Sequence, residues 1–138
     1  VHIKSIEAGF KKKSIRFSKL NTSTVVSDFE VLIIDNIGML MHLYQYANVA
    51  YVGGAFGKGL HNILEPASFG NPVIFGPKYS KFPEAYDFLK AEIGFSIKNK
   101  SEFEIMFNKL IAVDHSSKVL SYMNSQKGAT TKIIKDIF

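Results

Sequence analysis

The chain has 138 residues, 46% of them hydrophobic and 13% aromatic, enough for one domain with a packed core and too few for two independent domains. It contains no cysteine, which excludes a disulfide framework and thiolate chemistry, and no apolar run reaches the length of about 20 residues that spans a bilayer. The formal charge is +5, concentrated early: Lys4, Lys11, Lys12, Lys13, Arg16 and Lys19 are opposed in that stretch only by Glu7.

Such a run is either a solvated helix surface or a basic face for an anionic small molecule or membrane. It lacks interleaved aromatics and any recognition motif, so nucleic-acid binding is not expected. The four histidines, His2, His42, His61 and His115, share no ligand spacing with one another or with a carboxylate, and no metal site is expected.

In chain order, Ile3 to Lys12 sets Ile3, Ile6 and Phe10 against lysines, the pattern of an amphipathic helix. Arg16 to Ser27 is rich in Ser, Thr and Asn and reads as loop or short extended pieces. Val31-Leu32-Ile33-Ile34 predicts a buried strand ended by Asp35-Asn36, and Met39 to Ala47 reads as helix. Asn48 to Val52 is the next strand. Gly53, Gly54, Gly57 and Gly59 follow, and a helix is expected from about Leu60 to Phe69.

Gly70-Asn71-Pro72 breaks that helix, and Val73-Ile74-Phe75 makes a third apolar strand closing on Gly76-Pro77. Pro83 suits the first turn of a helix carrying Ala85, Phe88 and Leu89 inward, and Gly94 leads into a strand at Phe95 to Ile97. Ser101 and Glu104 read as a capping box, ahead of an apolar stripe at Phe103, Met106, Phe107, Leu110 and Ile111. Helical segments at about Ser117 to Asn124 and Ala129 to Ile137 finish the chain.

Strands alternating with helices predict an α/β domain: a Rossmann-like parallel sheet with helices on both faces. Ligands of such sheets bind beyond the carboxyl ends of the strands, where Asp35-Asn36, Gly53-Gly54 and Gly76-Pro77 all fall. The glycine stretch matches neither the dinucleotide fingerprint nor the P-loop, so by itself it is also what a structural tight turn needs. The residues behind it narrow the reading. A helix opening near Leu60 offers free N–H groups to a phosphate or carboxylate, with His61 and Glu65 on one face and Asn62 beside them.

Four segments carry a resemblance to a known family. They are Asp35-Asn36-Ile37-Gly38-Met39-Leu40, Ala47-Asn48-Val49-Ala50-Tyr51-Val52-Gly53-Gly54, His61-Asn62-Ile63-Leu64-Glu65-Pro66-Ala67 and Gly70-Asn71-Pro72-Val73-Ile74-Phe75-Gly76-Pro77. In this order they resemble the C-terminal, donor-binding half of the GT-B glycosyltransferases called 3-deoxy-D-manno-octulosonic acid (Kdo) transferases. Two positions depart from the family pattern: Ala55 stands where a serine is common, and Leu60 where a second glycine is common.

The resemblance implies CMP-Kdo as donor, no metal or other cofactor, and a lipid A precursor as acceptor. It places the full-length enzyme at the cytoplasmic face of the bacterial inner membrane, in lipopolysaccharide biosynthesis. Residues 1–138 would then be a single donor-binding domain, soluble by itself, cut from a longer protein. The family's catalytic base and acceptor-binding helices belong to an N-terminal domain outside this chain, so no catalytic residue is expected here.

Donor contacts are implied for Arg16 (phosphate or carboxylate), for Gly38, Met39 and Leu40 (cytosine), and for the Gly53, Gly54, Lys58 and Gly59 turn. His61, Asn62 and Glu65 complete the set, with Glu65 accepting from the ribose hydroxyls; Glu84 is a further candidate. Each polar residue has a plainer alternative: Arg16 as one cation of a basic run, Asn62 as a helix cap, His61 as a packed side chain, Glu65 as a helix-dipole partner worth about 0.3–1 kcal/mol. Two other functions stay open on these residues. One is a GT-B UDP-sugar transferase or a nucleotide-sugar epimerase domain; the other is a non-enzymatic basic module that docks on an anionic membrane or nucleic acid.

Overall fold

The computed structural model describes residues 2–9 and 11–128. It divides the chain into two compact units, Val1–His42 and Leu43–Phe138. The helix expected at Ala129 to Ile137 lies outside the described residues.

In the second unit three short strands, β3 (Ala50–Val52), β4 (Val73–Phe75) and β5 (Gly94–Ser96), form a parallel sheet in that order. Ala50 lies opposite Val73, and Val73 opposite Gly94. Parallel neighbours need crossovers, supplied by α3 (Leu64–Ser68) between β3 and β4 and by α4 (Pro83–Lys90) between β4 and β5. Two longer helices follow, α5 (Lys100–Ile111) and α6 (Ser116–Ser125).

β4 lies between the other two strands, and its three residues have no exposed surface. Side chains alternate across a strand, so they serve two cores. Val73 and Phe75 join Val52, Ala67, Ala85, Phe88 and Val119, which places α3, α4 and α6 on one face. Ile74 joins Ile97 and Leu110, with Phe103 and Met106 of α5 packed alongside, on the other. The expected α/β sheet with helices on both faces is what this unit builds.

The first unit holds α1 (His2–Gly9) and a second parallel pair, β1 (Ser14–Arg16) against β2 (Val31–Ile33), with Ser14 opposite Val31 and Arg16 opposite Ile33. Of the residues before Ala50 whose burial is described, none is fully buried. Polar pairs join its pieces. Lys12 bonds Glu30, Lys13 lies 3.9 Å from Asp28 and 4.9 Å above the Phe29 ring, and Arg16 engages Glu7.

The basic run is therefore not a uniform positive face: Asp28 and Glu30, distant in sequence, return to it because β2 pairs beside β1. The strands form two ladders, not the one continuous sheet expected. The helix expected over Met39 to Ala47 divides into α2 (Leu40–Leu43) and a 3-10 turn, Tyr44–Tyr46. The capping box sits two residues early. Asn99 Oδ1 accepts from the Glu102 N–H at 2.9 Å, and the Glu102 carboxylate accepts from the Lys98 N–H at 2.9 Å, so Asn99 and Glu102 replace Ser101 and Glu104.

Candidate functional site

The second unit brings seven of the predicted site residues together on one turn and the helix it feeds: Gly53, Gly54, Lys58, Gly59, His61, Asn62 and Glu65. Buried Val52 ends β3 and hands the chain to Gly53-Gly54. Gly54 has φ +91°, and a Cβ there would lie 2.2 Å from the Gly59 carbonyl oxygen and 2.6 Å from His61 Cδ2. Only glycine fits that position.

The loop closes on itself, with the Gly57 N–H donating to the Gly54 carbonyl at 2.8 Å and the His61 N–H to the Gly53 carbonyl at 3.3 Å. The His61 imidazole is thereby laid against Gly54 while its residue remains exposed. Ala55 and Leu60, the two departures from the family pattern, point inward and belong to the core.

The helix begins at Leu64, four residues later than expected from Leu60. Pro66 gives the reason: it has no N–H to complete a helical bond, which is tolerated only within the first turn. Consequently His61 and Glu65 are not successive turns of one helix. Asn62 lies one residue before the N-cap Ile63, and its Oδ1 accepts from the Leu64 N–H at 3.0 Å and the Glu65 N–H at 3.4 Å. The helix start is thus already partly satisfied.

Glu65 sits half-buried in the first turn of α3. Burial pushes the Tyr44 hydroxyl above its ordinary range, and the negative charge of Glu65 adds to that rise. Tyr44 was not singled out from the sequence. Its position is fixed by buried Asn71, whose side-chain N–H donates to the Tyr44 carbonyl at 2.8 Å, a pairing across residues that no local pattern signals.

The turn after β4 meets the turn after β3. The Lys78 N–H donates to the Ala55 carbonyl at 2.9 Å, and a Cβ on Gly76 would lie 2.6 Å from the Phe56 ring. Gly53-Gly54 and Gly76-Pro77 therefore share one edge of the sheet, as expected. Asp35-Asn36 follows β2, which pairs in the other ladder, so the expectation of three strand ends on one sheet edge is corrected. Glu84 lies in the first turn of α4, half-buried.

Arg16, Gly38, Met39 and Leu40 belong to the first unit. Arg16 donates from Nε to Glu7 Oε1 at 2.6 Å and from Nη2 to Glu7 Oε2, a two-pronged pairing that holds the guanidinium within its own unit. This bond to Glu7 raises the Arg16 pKa further above its ordinary value. Asp35 accepts from the Ser18 hydroxyl at 2.6 Å and its N–H at 3.0 Å, and these bonds lower its carboxyl pKa. Gly38 has φ +91° with no atom near an added Cβ, Met39 is half-buried, and Leu40 is exposed. Among the described residues no three His, Asp or Glu side chains gather into a metal-holding group, and no helix is long and apolar enough to cross a membrane.

A parallel α/β sheet whose glycine turn feeds a short helix with an acid in its first turn is the layout expected of the C-terminal half of a GT-B fold. The C-terminal CMP-Kdo binding domain of WaaA from Acinetobacter baumannii has this fold, with a TM-score of 0.74 and 21% identity over 90% of this chain and 65% of that one. No family model matches the sequence. Among curated relatives, the 3-deoxy-D-manno-octulosonic acid transferase of Aquifex aeolicus is 33% identical over 92% of this chain, and that of Rickettsia felis 34% over 74%. A bifunctional glycosyltransferase/methyltransferase of Fusobacterium nucleatum is 35% identical over 64%. Over most of its length the chain is homologous to one part of the Kdo transferases. It spans 36% of the Aquifex protein's length and 22% of the Rickettsia protein's.

Proposed function

We propose that this chain is the donor-binding part of a glycosyltransferase that moves Kdo from CMP-Kdo to a lipid A precursor in lipopolysaccharide synthesis. The observation that carries the reading is Glu65 in the first turn of a helix delivered by the Gly53-Gly54 turn, on a chain whose relatives are Kdo transferases. There the carboxylate accepts hydrogen bonds from the ribose hydroxyls of cytidine monophosphate. Asn62 spends its Oδ1 on the helix start and keeps its amide N–H groups for the ligand.

The whole enzyme, on this reading, works at the cytoplasmic face of the inner membrane. The catalytic base and the acceptor site lie in a separate N-terminal domain. Transfer runs without a metal: fixed donors and cationic side chains stabilise the departing CMP, which carries a single phosphate. Arg16 already gives two of its five guanidinium N–H donors to Glu7, which partly neutralises its charge, so it ranks below the residues of the glycine turn.

The test is calorimetric titration of CMP into the purified chain and its Glu65→Ala variant. Loss of hydrogen bonds to a charged group is expected to weaken CMP by about 1–3 kcal/mol. Binding of UDP in place of CMP would overturn the donor assignment in favour of a UDP-sugar enzyme. Alone, the chain should bind the nucleotide without turnover, and detecting Kdo transfer by the purified chain would defeat that part of the reading. A basic docking module is disfavoured by one feature, the pairing of Lys12, Lys13 and Arg16 with Glu30, Asp28 and Glu7.

A further inference from the structure

A depression of about 290 Å³ lies beside the glycine turn, lined by Lys58, Gly59, Lys78, Ser80, Lys81 and Phe82. Three cations line it and no carboxylate does. Four lysines elsewhere in the described residues find acids, Lys12 with Glu30, Lys13 with Asp28, Lys100 with Glu104 and Lys118 with Glu92, while others, such as Lys11, Lys19 and Lys90, stand singly on the surface. What distinguishes the hollow is three lysines gathered in one place. Lys58, Lys78 and Lys81 form no such ion pair among those residues.

Lys78 is positioned from both ends, its N–H on the Ala55 carbonyl at 2.9 Å and its Nζ on the Gly57 carbonyl at 3.2 Å. An ammonium has three donors, so two remain after that bond. The Phe82 ring closes one side, its edge 3.4 Å from where a Cβ on Gly59 would be. Like charges gathered in one hollow repel unless an anion joins them, and a cleft lined by one sign concentrates its field on such a ligand.

We infer that Lys58, Lys78 and Lys81 form an oxyanion subsite, with the Ser80 hydroxyl as an added donor. This deepens the donor reading and rests on it. A CMP-linked sugar acid carries two oxyanions, the phosphate and the sugar carboxylate. Helix α3 has five residues and its first N–H groups are taken by Asn62, so its start is poorly placed to hold both. Lysines 78 and 81 stand on the turn after β4, beyond the carboxyl end of the strand, on the same sheet edge as Gly53 and Gly54.

The experiment is an NMR titration of the chain with CMP, cytidine, free Kdo and inorganic phosphate, repeated on Lys78→Gln/Lys81→Gln. A loss of about tenfold for CMP or Kdo, with cytidine unchanged and the dependence on ionic strength reduced, supports the subsite. Loss on CMP assigns the phosphate to it; loss on Kdo assigns the carboxylate. Unchanged affinity for CMP, Kdo and phosphate in a variant with a native spectrum overturns it. If loss of the Gly57 contact unfolds the double variant, Lys58→Gln and Lys81→Gln carry the same test, since neither lysine makes a protein bond among the described residues. The two readings fail separately. Lysine-dependent phosphate binding without CMP binding keeps the subsite and removes the donor assignment, while Glu65-dependent CMP binding indifferent to the lysines does the reverse.

Discussion

In the second unit the strand β4 is sealed on both sides, with Val73, Ile74 and Phe75 at zero exposure, whereas β2 in the first unit leaves Leu32 43% exposed. The described contacts of the first unit include Lys12–Glu30, Arg16–Glu7 and Ser18–Asp35; the second unit packs two apolar clusters, one on each sheet face. Burial is non-directional and additive over area, while exposed ion pairs contribute little and fade with salt. The two units should therefore answer differently to the same insult, and the glycine turn, Asn62 and Glu65 sit on the sturdier one.

The largest break should come from Phe75→Ala. It deletes a fully buried ring shared by the sheet and Tyr79, and a cost of about 3–5 kcal/mol is expected from chemical denaturation of the second unit. Glu7→Gln, monitored the same way, should leave that transition where it was; a matched loss would erase the contrast. Gly54→Ala comes next. The added methyl meets a carbonyl oxygen at 2.2 Å in a backbone conformation hostile to L residues, so a loss of about 1–3 kcal/mol is expected, with CMP affinity lost alongside. Native stability and native CMP binding in this variant would show that the turn is not closed as described.

A smaller effect belongs to the first unit and to pH. Asp35 has a lowered folded pKa, so its contribution is present above the ordinary carboxylate range and disappears as pH falls through the folded value. On acidification the Ser18 amide should lose hydrogen-exchange protection before amides of β4 do. Ser18→Ala should return the Asp35 carboxyl towards its ordinary titration, read by NMR; an unmoved midpoint would remove Ser18 as the cause.

The second unit's strands were legible because Val73-Ile74-Phe75 and Ala50-Tyr51-Val52 are apolar runs bounded by glycine and proline. β1 was not: Ser14-Ile15-Arg16 has one apolar residue, and its strand character comes from lying opposite Val31 to Ile33. The late start of α3 was readable in principle from Pro66, which a helix opened at Leu60 would carry past its first turn. The Arg16–Glu7 pairing illustrates the limit of reading charge along a sequence, since a cation counted as available is held by an acid nine residues away. Lys78 and Lys81 escaped notice for the opposite reason. They lie 20 and 23 residues beyond Lys58, and only the adjacency of two turns gathers them.

That adjacency has a consequence for how a ligand is received. Because Gly76 leaves no room for a methyl beside Phe56, and Lys78 ties back to Ala55, the two turns behave as meshed parts that cannot shift independently. A nucleotide arriving at this rim would find its groups already in place, and little conformational freedom would be surrendered on binding. The same meshing makes Gly76 a remote control on the candidate site. A bulkier residue there would push Phe56 and Ala55, move Gly54 one residue upstream, and so disturb His61 without touching any group that meets the ligand.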